Sequence, residues 1–290
     1  MTDRLIQGMA GVGDFRVIGT ETTRAVEQVR TRADMSPVAT IAIGRAMTGA
    51  LLLARLLDKN QRDQQVTIRI DGGGPLGLIV AEANTNGYVR GFVANPKLDM
   101  ESLEVGKAVG KDGILTVVRT AVPTGKPYSS QIRLVTGEIA RDLTEYLLVS
   151  EQVQSAVLLG VQVSPDGVEA AGGVAIQRFP HAGEPQAESI EDSLSGAPAF
   201  SSLLAKMPLE DAIAELLPGR HAQASIYAFD LVERRAKRGV GIPAAEPRRI
   251  QKVGIVGAGL MATQLATLFL RRLEVPIVLR DLEQAKIDDA

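Results

Sequence analysis

The 290-residue chain contains no cysteine and no tryptophan. Without thiols it forms no disulfide, offers no thiolate nucleophile and builds no thiolate zinc site. Histidine is limited to His181 and His221, which leaves little for an imidazole metal site or a histidine general base. Aromatic residues make up 3% of the chain, so stacking platforms for nucleic-acid bases have few candidates. The formal net charge of −2 gives no global pull toward nucleic acid or anionic membrane. No apolar run reaches about 18 residues without a charge, the length a spanning helix needs. Residues 41–57 come closest and are interrupted by Arg45 and Arg55. The opening Met1-Thr2-Asp3-Arg4 lacks the basic-then-apolar order of a signal peptide. A cytoplasmic location is expected.

The composition, 45% apolar and 23% charged, is that of a soluble globular protein. Its length suits one large or two modest domains. Ser36-Pro37 opens a helix, with Ser as cap and Pro at the first helical position. Residues 38–57 are then small and apolar almost without break, the pattern of a helix buried on every side. This is the expected central core helix, packed closely through Ala39, Ala42, Gly44, Ala46 and Gly49. Strands are expected around 15–18, at 66–70, 76–81 and 88–93, at 113–119 and 130–134, and at 157–163 and 173–179, with a hairpin turn at Asn86-Gly87. A helix is expected over 136–149. Residues 1–180 therefore read as an α+β domain with largely antiparallel, hairpin-connected strands.

Residues 181–219 read as a helical linker, entered through a Pro/Gly-rich stretch (180–188) and broken near Pro198 and Pro208. Residues 220–250 form a basic junction, with Arg234-Arg235-Ala236-Lys237-Arg238 its densest part. That run is short and lacks interleaved aromatics, which favours a solvated helix end over a nucleic-acid or lipid contact. Asp71-Gly72-Gly73-Gly74-Pro75-Leu76-Gly77 admits two readings, an anion nest or a tight strand connection, and the connection is favoured. The segment 106–111 (GKAVGK) departs from a phosphate loop, because Asp112 follows Lys111. Glu138, Asp142 and Glu145, with Glu151 beyond, recur at near-helical spacing and are expected on a solvated face. His181 and His221 are expected to be exposed and inert.

The last segment, 251–290, carries the sharpest motif. Gly257-Ala258-Gly259-Leu260-Met261-Ala262 reads G-x-G-x-x-A, the turn that holds a dinucleotide pyrophosphate at a helix N-terminus. An apolar strand (253–256) enters it, a helical pattern (260–273) leaves it, and a second strand (276–279) ends at Asp281, where an acid would bond a ribose hydroxyl. Gly257, Gly259, Ala262 and Asp281 are thus the candidate cofactor-binding residues, and NAD the candidate cofactor. Only one βαβ unit fits before Ala290, so an incomplete Rossmann unit with weak or no NAD binding is expected. From about 224 onward the tail resembles the start of the dehydrogenase part of bacterial multifunctional 3-hydroxyacyl-CoA dehydrogenases. The catalytic His–Glu pair of that family has no counterpart here, so the resemblance implies a fragment that cannot move a hydride.

The rest of the chain carries a longer resemblance. SPVATIAIGRAMTGALLLARLL (36–57), VTIRIDGGGPLGLIVAEANTNGYVRGFVANP (66–96), VGKAVGKDGILTVVRT (105–120), YSSQIRLVTGEIARDLTEYLLVSEQ (128–152) and VLLGVQVSPDGVEAAGG (157–173) are similar, in order and spacing, to the heat-shock protein 33 family of chaperones. The likeness runs from about residue 3 to 219. It implies an ATP-independent holdase of the stress response, binding unfolded or partly folded client proteins on apolar surface, with a homodimer compatible. The family's C-x-C and C-x-x-C zinc module, which switches the chaperone on by oxidation, has no counterpart in a chain without cysteine, so zinc is not expected. The two resemblances together imply a chimera joined near 218–224, compatible with a natural fusion, a misjoined reading frame or an engineered join. The competing functional reading is an NAD-dependent 3-hydroxyacyl-CoA dehydrogenase fragment or vestigial dinucleotide binder.

Overall fold

The structure, a computed structural model, describes residues 3–10, 14–57, 64–121, 125–217, 251–256, 266–267, 269–270 and 275–280. The chain divides into two compact units, Met1–Lys237 and Arg238–Ala290.

The first unit is built around one helix. After β1 (Arg4–Ala10), β2 (Phe15–Glu21) and α1 (Thr23–Ala33), α2 runs from Pro37 to Leu56. Ser36 caps it by accepting the N–H of Ala39, with Pro37 in the first turn, where a missing N–H costs nothing. Seventeen of its twenty residues are buried. By length and composition this helix would suit a membrane, but here it is the core of the protein. Its glycines set how closely neighbours approach. A Cβ on Gly44 would lie 2.8 Å from Val161 and 2.9 Å from Val26, and one on Gly49 would strike Leu143. Thr48, fully buried, bonds back to the Gly44 carbonyl at 2.7 Å and meets the Thr22 hydroxyl at 2.8 Å. These bonds satisfy hydroxyls that would be costly if left unpaired.

Two antiparallel sheets enclose α2. The first has the order β1-β2-β9-β8, where β8 is Ser155–Ser164 and β9 is Gly167–Arg178. The second has the order β5-β4-β3-β6-β7, built from β3 (Gln64–Asp71), β4 (Ile79–Asn84), β5 (Val89–Val93), β6 (Ile114–Ala121) and β7 (Tyr128–Arg133). Val66, Ile68 and Ile70 of β3 alternate inward to the core, as do Ile79, Ala81 and Ala83 of β4. Two short elements complete the enclosure, α3 (Val105–Val109) and α4 (Ile139–Val149).

The choice at 71–77 resolves as a strand connection. Gly74 and Leu76 donate their N–H groups to Val109 and Ala108 carbonyls at 2.9 and 3.0 Å, so these donors are spent on α3 rather than turned to an anion. Gly73 and Gly77 take positive φ, which glycine adopts without strain. The 106–111 stretch forms the five-residue α3, and Gly106 donates to Glu138 at 3.0 Å.

The expected solvated acidic face of α4 is corrected. Asp142 is 1% exposed and accepts the N–H groups of Val135 and Thr136 at 2.8 and 3.0 Å. Glu138 pairs with Arg45 of α2. Glu151 sits beneath Arg119 at 3.0 Å and accepts the Tyr146 hydroxyl at 2.7 Å. Burial, with this hydrogen bond, pushes the Tyr146 phenol up. Helical spacing of acids is the same whether they face water or tie loops down, so the pattern alone could not separate the two. The expected helix at 136–149 starts later, at Ile139, because 134–137 form the loop that Asp142 holds. The strand expected at 76–81 likewise begins at Ile79 and runs on to Asn84.

Beyond β9 come α5 (Glu184–Ser195), α6 (Phe200–Leu204) and α7 (Leu209–Leu216). The linker, expected to hold two short helices split near Pro198 and Pro208, contains three, and the first begins within the Pro/Gly-rich stretch 180–188. His181 is exposed, as expected, and stacks on Phe179 at a centroid distance of 5.7 Å; His221 lies outside the described residues.

In the second unit β10 (Val253–Val256) pairs in parallel with β11 (Ile277–Arg280), Val253 opposite Ile277. Residues 266, 267, 269 and 270 between them are helical. Ala266 is buried, whereas Leu270 and Val278 are exposed.

The packing around α2 makes a direct prediction. Gly49→Leu should destabilise the protein by about 1–3 kcal/mol, the usual cost of overpacking, seen as a lowered midpoint in urea. An unchanged midpoint would mean that Leu143 yields freely.

Candidate functional site

The β1-β2-β9-β8 sheet has two apolar faces, and the strand pleat separates them residue by residue. On β9, Ala171 and Ala175 join the core around α2, while Ala170, Val174 and Ile176 face the other way. On β2, Ile18 goes to the core and Phe15 and Val17 to the outer side. Ile6 and Ala10 of β1 extend that outer side. The register aligns it in rows, with Ile6 beside Gly19, Gly19 beside Val174, and Val174 beside Leu158. Left bare, such a continuous apolar face would be an association surface.

It is not bare. Leu209, Ala212, Ile213 and Leu216 of α7 are buried on it, spaced along one helical stripe. Phe200, Leu203 and Leu204 of α6 and Ile190 of α5 complete the cover. Three sheet glycines let the helices come close. A Cβ on Gly19 would strike the Ile213 side chain, one on Gly172 would strike Leu204, and one on Gly160 would lie 2.5 Å from the backbone nitrogen of Ser201. The fit of cover to sheet is therefore written into both partners.

Ion pairs hold the cover at two places. Arg4 of β1 grips Glu210 of α7 through two guanidinium nitrogens at 2.8 and 2.9 Å, the two-pronged geometry that makes such pairs strong. Glu21, opposite Arg4 on β2, lies 3.9 Å from the same guanidinium. Burial pushes the Glu21 carboxyl up, while Arg4 pulls the other way. At the start of α5, Arg178 bonds Glu184 at 2.9 Å and holds its carboxyl below the usual range. Ser193 of α5 donates to the Leu216 carbonyl at 3.0 Å, tying the first and last cover helices. The arrangement is an apolar sheet face beneath a helical cover.

The candidate cofactor residues Gly257, Gly259, Ala262 and Asp281 all lie outside the described residues. Of their surroundings the structure describes the parallel pair β10–β11 and part of the intervening helix. Among the described residues no group of three or more Asp, Glu or His side chains gathers in a way that could hold a metal ion. Sequence reasoning missed strand β1, whose alternation is blurred by Gln7 and Gly8, and helix α1, whose charged surface leaves Val26 as its one buried residue.

The family model for the Hsp33 protein matches residues 3–234. The 33 kDa chaperonin of Thermus thermophilus is 49% identical over 222 residues, spanning 74% of this chain and 64% of that protein. The match thus covers somewhat less than two thirds of the Thermus relative's length. The 33 kDa chaperonin of Synechocystis sp. is 45% identical over 225 residues, 75% of this chain and 74% of that one. The crystal structure of the 33 kDa chaperonin (heat shock protein 33 homolog) from Thermotoga maritima is similar with a TM-score of 0.68 and 34% identity, covering 73% of this chain and 74% of that one.

Placing a branched side chain at Gly19 tests the cover without touching the core. Gly19→Val should lift α7, speed amide exchange across Leu209–Leu216 and raise the fluorescence of a dye that reports apolar surface. Exchange in the core helix Pro37–Leu56 should not change. Slow exchange retained in α7 would count against the fit described here.

Proposed function

Because the chain belongs to the Hsp33 family, we propose that it is an ATP-independent molecular chaperone that holds unfolded or partly folded proteins on the outer face of its β1-β2-β9-β8 sheet. The observation that carries this reading is the apolar face itself, continuous across four strands and largely covered by three helices, of which α5 is tied through Glu184 and α7 through Glu210. A separable cover suits a protein that must expose apolar surface under stress and hide it otherwise. A cytoplasmic location agrees with this role.

With no cysteine in the chain, its opening does not depend on thiol oxidation. Suppression of light scattering from a thermally unfolding client should therefore be equal in reductant and in peroxide, and unaffected by chelator. A large gain on adding peroxide would contradict redox independence. Absence of protection at every ratio would end the chaperone reading.

The second unit supports a narrower reading. The parallel pairing of β10 with β11 and the helical residues between them agree with a partial Rossmann βαβ unit, joined to the Hsp33-like part as a chimera. Residues 1–180 would then be the chaperone domain, 181–219 its linker, 220–250 the junction and 251–290 the dinucleotide-binding-like segment. Gly257, Gly259, Ala262 and Asp281 would form its ligand end. Leu270 and Val278 of this unit are exposed, and on this reading NAD should bind weakly or not at all and no hydride should be transferred. Isothermal titration with NAD is the check; micromolar binding abolished by Gly257→Val would show a working site.

A further inference from the structure

The helical cover does not close the whole apolar face. Where β9 ends beside the start of β8, the register sets Val17, Ile176 and Ala156 in one row and Phe15 beside Arg178 in the next. Beside these rows lies an open cavity of about 380 Å³, between α4 and α5, which lines it from Glu184 to Leu194. Phe15, Ile176 and Ala156 form its floor, and Leu148 of α4 and Ile190 of α5 its sides. The small side chain of Ala156 leaves the space that a larger residue in that row would fill. The volume lies in the range of pockets that seat small molecules or anchoring side chains.

Two further observations say what would enter. Leu148 is 49% exposed and its neighbour Val149 is 57% exposed, so the α4 side of the opening is apolar. The opposite lip is acidic. Helix α5 (EPQAESIEDSLS) has four carboxylates and no basic residue. Glu184 is engaged by Arg178, while Glu191 lines the cavity and is exposed, with Glu188 and Asp192 exposed beside it. Arg178 also lines the cavity, but its guanidinium is engaged by the Ala182 carbonyl and Glu184, so the net negative charge of α5 disfavours anions there and attracts cations.

We propose that this corner is a docking site for a polypeptide segment that carries an apolar residue flanked by lysine or arginine. The proposal rests on the chaperone reading and refines it. The site belongs to the same sheet face as the covered surface, yet it is open while α5–α7 are in place. A client therefore makes its first contact here, before the cover moves, and clients are sorted by charge as well as by apolar content.

The experiment uses the full chain and two fluorescein-labelled, unstructured peptides, identical except that arginines flank the leucines in one and glutamates in the other. Fluorescence anisotropy should show tighter binding of the arginine peptide, with the difference shrinking as salt is raised. Glu191→Lys should weaken that peptide about fivefold and favour the glutamate peptide, a size expected for reversing one exposed charge pair. Leu148→Ser should weaken both. Both side chains are solvent-exposed, and circular dichroism melts should match those of the parent chain. Equal affinity for the two peptides, or indifference to both substitutions, overturns the proposal. Light scattering with an unfolding client is read in parallel. Protection of the client with peptide binding insensitive to both substitutions overturns the docking site alone. No protection, with peptide binding that still depends on Glu191, overturns the chaperone reading and leaves the docking site standing.

Discussion

Everything in the first unit follows from the need to keep helix α2 out of water. A twenty-residue helix with seventeen buried positions has almost no side that tolerates solvent, so it must be wrapped, and one sheet cannot wrap a cylinder. The two sheets and α4 divide the task. The sheet β1-β2-β9-β8 meets α2 through Ile18, Ala171 and Ala175, and β3–β4 meet it through Ile68 and Ala81. The small residues of α2 are the means: at Gly44 and Gly49 the neighbours come so near that a methyl group would not fit. Close packing of this kind multiplies weak dispersion contacts and makes each position sensitive to added volume.

That solution leaves a second problem, which is the functional one. A strand whose inner residues serve the core presents its alternate residues outward, and on β2 and β9 those residues are apolar too. They are buried beneath α5–α7 and form a second core with them. The cover helices meet this surface with a mixture of forces. Apolar contact under α6 and α7 supplies the bulk. The ion pairs at Arg4 and Arg178 set position and register. The buried Glu21 beside Arg4 leaves the grip on Glu210 in a crowded electrostatic setting, with two carboxylates near one guanidinium. Such a contact is specific without being as secure as a hydrocarbon core.

Much of this was legible in the residues. The run of small apolar residues after Ser36-Pro37 gave α2 nearly to its ends, and alternation at Val66–Ile70 gave β3. Where alternation was interrupted the reading failed. Strand β1 is masked by Gln7 and Gly8, the start of β9 by the turn residues before it, and α1 by a surface so charged that only Val26 marks its inner side. Tertiary uses of polar side chains were equally opaque. Nothing in the spacing of Asp142 distinguishes a carboxylate that caps a loop from one that faces water, because the deciding partners, Val135 and Thr136, are fixed only by the fold. The apolar face was anticipated only through the family resemblance. Its rows, and the glycines that receive the cover, depend on pairing between segments more than 150 residues apart, such as Phe15 with Arg178. The candidate cofactor residues of the second unit stand where the described residues stop, so that part of the reading rests on the sequence alone.

The place of β9 in its sheet has a consequence for how the protein is made. It is the strand between β2 and β8, and it is the last of the four to be synthesised. The β1–β2 hairpin leaves the ribosome early and waits for a partner that arrives after more than half the chain has been translated. Pairing across so long a separation is slow, because loop closure comes before the contacts that reward it. Helices α5–α7 follow β9 directly. The last strand of the outer face is thus made before any of its cover, and the cover comes from the segment that follows in the same chain rather than from a separate partner.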